Sequence, residues 1–174
     1  MTTETLNISE EQLVDYSKAL HEPSWMTDSR KKALKLTETL EMPKPDKTKL
    51  RKWDFDSFQQ HHVDGATFKD LSELPESINK IINVETSENL IIQHNNTLAY
   101  TQVSDQAKQD GVIIEGLSES LVNHGDLVQK YLMTEAVQVD EHRLTALHAA
   151  LINGGVFVYV PKNVVVEHPI HYVV

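Results

Sequence analysis

The chain has no cysteine, which excludes disulfides, thiolate nucleophiles and cysteine-ligated zinc or iron–sulfur clusters built from its own side chains. No apolar run approaches the roughly 20 residues that span a bilayer. The opening MTTETLNISEEQ lacks the charged-then-apolar pattern of a secretory signal. Together these absences argue against a secreted or membrane protein, and the expected compartment is the cytoplasm. Aromatic residues are sparse at 6%, and 16 basic side chains face 26 acidic ones for a formal charge of −10. A molecule so charged repels phosphate as a whole, so nucleic acid is not an expected partner. Missing too are the phosphate-binding and dinucleotide glycine loops, the G-x-S-x-G nucleophile elbow and the H-E-x-x-H zinc motif.

What is present fits a soluble globular chain of 174 residues, 40% hydrophobic and 24% charged. That length suits one compact domain, or one domain with an appended segment. The charge is unevenly spread: residues 1–60 hold 11 acids and 10 bases, whereas 61–174 hold 15 acids and 6 bases. Within the first part, 30–52 is locally basic (Arg30, Lys31, Lys32, Lys35, Lys44, Lys47, Lys49, Arg51 and Lys52 against Glu38, Glu41 and Asp46). It reads as a solvated surface or a docking face for an acidic partner.

Ser9 with Gln12 three residues on forms a capping box for a first helix, whose apolar stripe is Leu13, Tyr16 and Leu20. Glu22-Pro23 stops it. A second helix is expected from Thr27 or Asp28 to about Glu41, with Ala33, Leu36 and Leu40 inward and its basic residues outward; Pro43 and Pro45 end it. Leu50 and Trp53 suit a short helical turn, with Phe55 and Phe58 continuing the apolar signal. From His61 to Glu73 the chain reads as loop, and Pro75 opens a short helix expected to turn Ile78, Ile81 and Ile82 inward.

The period then changes to two. Strands are expected over Leu90–His94 and Thr97–Val103 around an Asn95-Asn96 turn, with a third over Val112–Glu115 after Gly111. Helical patterning over 117–133 breaks at His124-Gly125, with Asp126 as the expected new N-cap. Asp140 is the expected N-cap of a helix carrying Leu144, Leu147 and Leu151, which Asn153-Gly154-Gly155 ends. Three β-rich runs follow: Val156–Val160, Val164–Glu167 and Ile170–Val174. A last strand with nothing after it needs a partner for its edge and apolar face. The chain is therefore expected to be a fragment, with 156–174 pairing with itself, with the central unit or with another copy.

Candidate chemistry is thin. Of nine histidines, His61-His62 are neighbours that an extended chain points apart, and His142 and His148 fall on different faces of one helix. His168 and His171 also diverge on a strand. The carboxylate pairs Asp54/Asp56 and Asp140/Glu141 are coupled to no recognisable pocket, and Gly154-Gly155 reads as backbone geometry at a helix-to-strand junction. No catalytic, cofactor-binding or metal-ligating residue is assigned. The rival readings are an independent acidic protein-interaction adaptor docking through 30–52, and a small metal enzyme using His168 or His171.

The segment Leu144–His171, LTALHAALINGGVFVYVPKNVVVEHPIH, resembles the SufB/SufD family of the SUF iron–sulfur cluster assembly system. The likeness lies in the LxALxxA helix, the Gly-Gly break, the hydrophobic strand, the V-P-K-x-V turn and the strand ending at Pro169-Ile170. Many members carry glycine where Asn163 stands, a swap that asparagine tolerates at a left-handed position. The leader agrees: Glu22-Pro23-Ser24-Trp25-Met26, then Arg30, Ala33, Met42-Pro43 and Lys52-Trp53. Gly155-Val156-Phe157 and Pro169-Ile170-His171 look more like SufD, with the SufB paralogue as the alternative.

The resemblance implies an α+β chain: an N-terminal helical segment (1–60), a small α/β unit (61–135), and a helix with the opening strands of a truncated right-handed parallel β-helix (136–174). It implies a non-catalytic scaffold subunit of the SufBCD complex, associated with iron acquisition. The partners implied are a SufB-like paralogue and a SufC-like ATPase, met mostly beyond this chain, and self-association is a further possibility. The iron–sulfur cluster belongs to the full complex, with no cofactor expected in this segment.

Overall fold

A computed structural model describes residues 8–50, 53–55, 65–82 and 87–174. The first elements are α1 (Glu10–Ala19), α2 (Ser24–Thr39), α3 (Glu76–Asn79), β1 (Asn89–His94), β2 (Thr97–Gln102) and α4 (Asp105–Gln109). Then follow β3 (Ile113–Gly116), α5 (Leu117–Asn123), α6 (Gly125–Tyr131), α7 (Arg143–Leu151), β4 (Val156–Tyr159) and β5 (Ile170–Val173). This α+β chain divides into two discontinuous units, Met1–His61 with Leu121–Asn153 and His62–Ser120 with Gly154–Val174.

The first unit is helical. Ser9 Oγ accepts from the Gln12 amide at 3.2 Å and the Gln12 side chain accepts from the Ser9 amide at 2.8 Å, completing the expected capping box. The helix closes on His21, in the left-handed conformation at φ 54°: its amide reaches the Lys18 carbonyl while that of Glu22 reaches Ser17. Helix α2 starts at Ser24, earlier than expected, because Pro23 in extended conformation serves as its N-cap. Its buried stripe is Met26, Arg30, Ala33 and Thr37, with Leu36 and Leu40 only half-buried, so the inward face includes two polar positions. Helix α7 packs along α2 more extensively than any other helix pair. Ala33 and Ala150, both fully buried beside Leu13, permit that close approach.

Arg30 breaks the expectation that the basic residues of α2 face solvent. Its side chain is 1% exposed and that of Glu22 3%. The guanidinium grips Glu22 bidentately, Nε to Oε2 at 2.8 Å and Nη2 to Oε1 at 2.6 Å. It also donates to the carbonyls of Ala150 at 2.9 Å and Ile152 at 2.7 Å. Those carbonyls belong to the end of α7, where a helix leaves acceptors unpaired and favours positive charge. Ser17 donates its hydroxyl to the same Glu22 carboxylate, and the Tyr16 ring lies under the guanidinium at 5.4 Å. Burial pushes the Tyr16 hydroxyl above its ordinary value, an effect Arg30 opposes and Glu22 reinforces.

Two further caps differ from expectation. Helix α6 is capped at His124 rather than Asp126. Helix α7 is capped at His142 rather than Asp140: its Nδ1 accepts from the Thr145 amide at 3.1 Å, and Thr145 Oγ1 accepts from the His142 amide at 3.1 Å. A neutral imidazole supplies the acceptor that a carboxylate supplies elsewhere.

The second unit is built on β1, which lies between β2 and β5 in a three-stranded sheet. Strands β1 and β2 are antiparallel around the expected turn, with Asn95 at φ 55°. Strand β5 runs parallel to β1, from Asn89 opposite Ile170 to Ile92 opposite Val173. Leu90 and Ile92 bury one face against Leu74, Ile82 and Ala99, while Ile91 buries the other against Ala107, Val112 and Ile114. A strand covered on both faces explains the unbroken apolar run. Strands β3 and β4 form a separate antiparallel pair, Ile113 opposite Tyr159. Residues 156–174 thus pair with the central strands, one of the three expected outcomes.

Two local expectations fail here. Helix α3 ends at Asn79, so Ile81 lies past it and is 72% exposed, while Ile78 and Ile82 do pack inward. Val164–Glu167 is not a strand: Val164 and Val166 pack on the Ile91 cluster and Val165 points out, but both edges of β1 are already occupied. Asn163, at φ 68° after Pro161-Lys162, takes the left-handed turn position expected for it, and the Val164 amide closes the turn on the Pro161 carbonyl at 3.1 Å. Phe58 and His61-His62 lie outside the described residues.

The β1–β2 hairpin tip is clasped by two glycines. A Cβ on Gly65 would stand 2.3 Å from the His94 carbonyl oxygen, and one on Gly154 would stand 2.8 Å from that of Asn96. Gly155 adds a φ of 133°, which side-chain-bearing residues rarely adopt. The glycine pair therefore serves backbone geometry.

Truncating Arg30 to Ala leaves the buried Glu22 carboxylate without its cationic partner, and urea titration should show a loss of about 3–5 kcal/mol. Gly154→Ala must push the Asn96 backbone aside, and the same titration should show a loss of about 1–3 kcal/mol.

Candidate functional site

A cleft of about 420 Å³ opens in the second unit between the start of α4 and the Val164–His168 segment. Ser104 caps α4, its hydroxyl accepting from the Ala107 amide at 3.2 Å, and Gly111 ends that helix at φ 76°. Asn89, fully buried at the start of β1, joins the two sides. Its Oδ1 accepts from the Ser104 amide at 2.9 Å and its Nδ2 donates to the His168 carbonyl at 3.1 Å. One amide side chain thereby satisfies backbone groups from two loops.

The cleft is acidic, with Glu88, Asp105, Asp110 and Glu167 in its lining. Three of these carboxylates are held by near neighbours: Glu88 by His168 at 3.4 Å when that imidazole is protonated, Asp105 by Lys108 at 3.7 Å, and Asp110 by the Gln106 amide at 2.9 Å. Such a surface contacts cations or hydrogen-bond donors. It sets no nucleophile against a base among the described residues.

The residues weighed from the sequence are dispersed. His142 is the α7 cap, His148 is exposed in the last turn of the same helix, and His171 is exposed on β5. His168 reaches the cleft, where it faces Glu88. Asp140 and Glu141 are exposed, Glu141 accepting from the Gln138 amide at 3.0 Å. Asp54 is exposed, and Asp56 lies outside the described residues. Among the described residues no three His, Asp or Glu side chains gather as a metal would need, and no helix is long and apolar enough to cross a membrane. Sequence reasoning missed Asn89, because asparagine at a strand start carries the same signal as an ordinary turn residue.

The family model described as the SufBD protein N-terminal region matches residues 11–172, and the chain belongs to that family. It is SufD-like: it is 43% identical over 169 residues to the iron–sulfur cluster assembly protein SufD of Bacillus subtilis, covering 97% of this chain and 39% of that protein. An iron–sulfur cluster assembly SufBD family protein of Staphylococcus epidermidis is 27% identical over 172 residues, 94% of this chain and 37% of its own length. One of Pyrococcus horikoshii is 27% identical over 185 residues, 97% of this chain and 41% of its own. The chain thus spans about two fifths of the length of these relatives.

Replacing Asn89 with Ala strands the Ser104 amide and the His168 carbonyl. Denaturant unfolding should register a loss of about 1–3 kcal/mol, and the 164–168 segment should lose amide protection.

Proposed function

We propose that this chain acts as the N-terminal region of a SufD-like, non-catalytic scaffold subunit in iron–sulfur cluster assembly. On this reading the full subunit pairs with a SufB-like paralogue and a SufC-like ATPase in the cytoplasm and takes part in iron acquisition. The cluster is the cargo of the whole complex, with no cofactor resident in this segment. The observation that supports it is β5. It lies parallel on β1 at the edge of the sheet and exposes Tyr172, while Val165 is 79% exposed and Val174 83%. An open parallel edge beside exposed apolar side chains is a surface on which further strands can stack, as the coils of a β-helix do.

Hydrogen exchange tests the stacking. The outward amides of β5 should exchange rapidly in this chain alone, and should become protected in a longer chain co-expressed with SufB-like and SufC-like subunits. The three should also co-purify. Fast exchange of β5 within an assembled complex would remove the stacking argument, and failure of the longer chain to co-purify would remove the subunit role.

A further inference from the structure

The basic stretch 30–52 divides once folded. Arg30 is consumed internally, and Lys31 and Lys35 both reach Glu10, at 3.0 and 3.6 Å. Lys32 stays exposed on α2; the remaining cations of the stretch lie after that helix, where a groove of about 730 Å³ is walled by Pro43, Leu50, Trp53 and Phe55. Trp53 is 64% exposed and stacks on Phe55, with ring centroids 6.1 Å apart and planes 10° from parallel. Pro43 and Pro45 restrict the backbone, and the Arg143 amide donates to the Glu41 carbonyl at 2.9 Å, tying the start of the loop to the first residue of α7.

Its charge opposes that of the molecule. Lys44, Lys49 and Arg143 line the groove against Glu41 alone, which Lys44 engages at 2.9 Å. This pair holds the Glu41 carboxyl below, and the Lys44 ammonium above, its ordinary value. Lys47 lies exposed in the same stretch, as do Asp46 and Asp54, so four cations stand against three carboxylates around the groove. On a chain of net charge −10, a cationic rim around exposed aromatic rings is a local inversion of field, which steers an acidic ligand to this place. Tryptophan in such a setting is the residue type that most often carries binding energy.

We propose that this groove docks an acidic peptide segment of a partner protein, with an aromatic or large aliphatic side chain packed on Trp53 and carboxylates on the lysine rim. The assignment stands apart from the scaffold role and does not depend on it.

The test is fluorescence anisotropy with the full chain and three labelled probes. These are a short blocked peptide of Glu and Asp around a central Phe-Leu, the same peptide with Gln and Asn in place of its acids, and a single-stranded DNA oligonucleotide. The acidic peptide should bind saturably, and the amide peptide about tenfold more weakly. Trp53→Ala, and separately Lys44→Glu with Lys49→Glu, should each cost the acidic peptide about tenfold with an unchanged melting curve. All three positions are exposed, so these variants test the groove rather than the fold. Equal binding of the amide peptide, undiminished binding by Trp53→Ala or preference for the oligonucleotide would overturn the proposal. A concentration-dependent dimer abolished by Trp53→Ala would do so too, by showing a second copy in the groove.

Discussion

The first unit depends on one buried ion pair. Arg30 and Glu22 are taken out of water together, at a cost that only dense hydrogen bonding offsets. The couple is densely bonded: the carboxylate takes two guanidinium bonds and the Ser17 hydroxyl, and two further guanidinium protons go to the Ala150 and Ile152 carbonyls. The contacts come from α1, from the turn after it, from α2 and from the end of α7. A hydrophobic residue in place of Arg30 could fill the volume, but it could not satisfy the two carbonyls at the end of α7. The pair therefore specifies which helix end meets which turn, a selectivity that the alanine packing of α2 against α7 lacks.

The second unit obeys a different constraint, the crowding around β1. Both faces of that strand are covered and both edges are paired, so neighbouring segments crowd its hairpin tip. Gly65 and Gly154 do so at distances that leave no room for a side chain. Asn89 performs the matching task at the other end of the strand, bonding backbone where no ladder position remains.

Much of this was legible in local signals. The Ser9/Gln12 box, the Asn95-Asn96 hairpin and the left-handed Asn163 each depend on neighbours in the chain, and each appears as expected, whereas α7 is already closed at Ile152, at φ −52° and ψ 124°, before the glycines are reached. What was hidden depends on contacts distant in sequence. Arg30 reads as a surface cation until Ala150 and Ile152, more than a hundred residues away, are seen to accept from it. The caps at His124 and His142 were hidden for another reason: a nearby aspartate competes as the stronger textual signal. Val164–Glu167 has the β-branched run of a strand, yet such a composition says nothing about a free edge to pair with. The cleft around Glu88 and His168 joins residues some eighty positions apart, and no short motif marks it.

The interleaving of the two units bears on the order of synthesis. Helices α1 and α2 emerge first, but their buried arginine lacks two of its acceptors until Ile152 has been made. The central strands likewise wait for β4 and β5. The first unit waits for Leu121–Asn153 across the central segment of the second, and the second waits for Gly154–Val174 across the end of the first, so closure is delayed in both. No single cut between these segments would release both units whole.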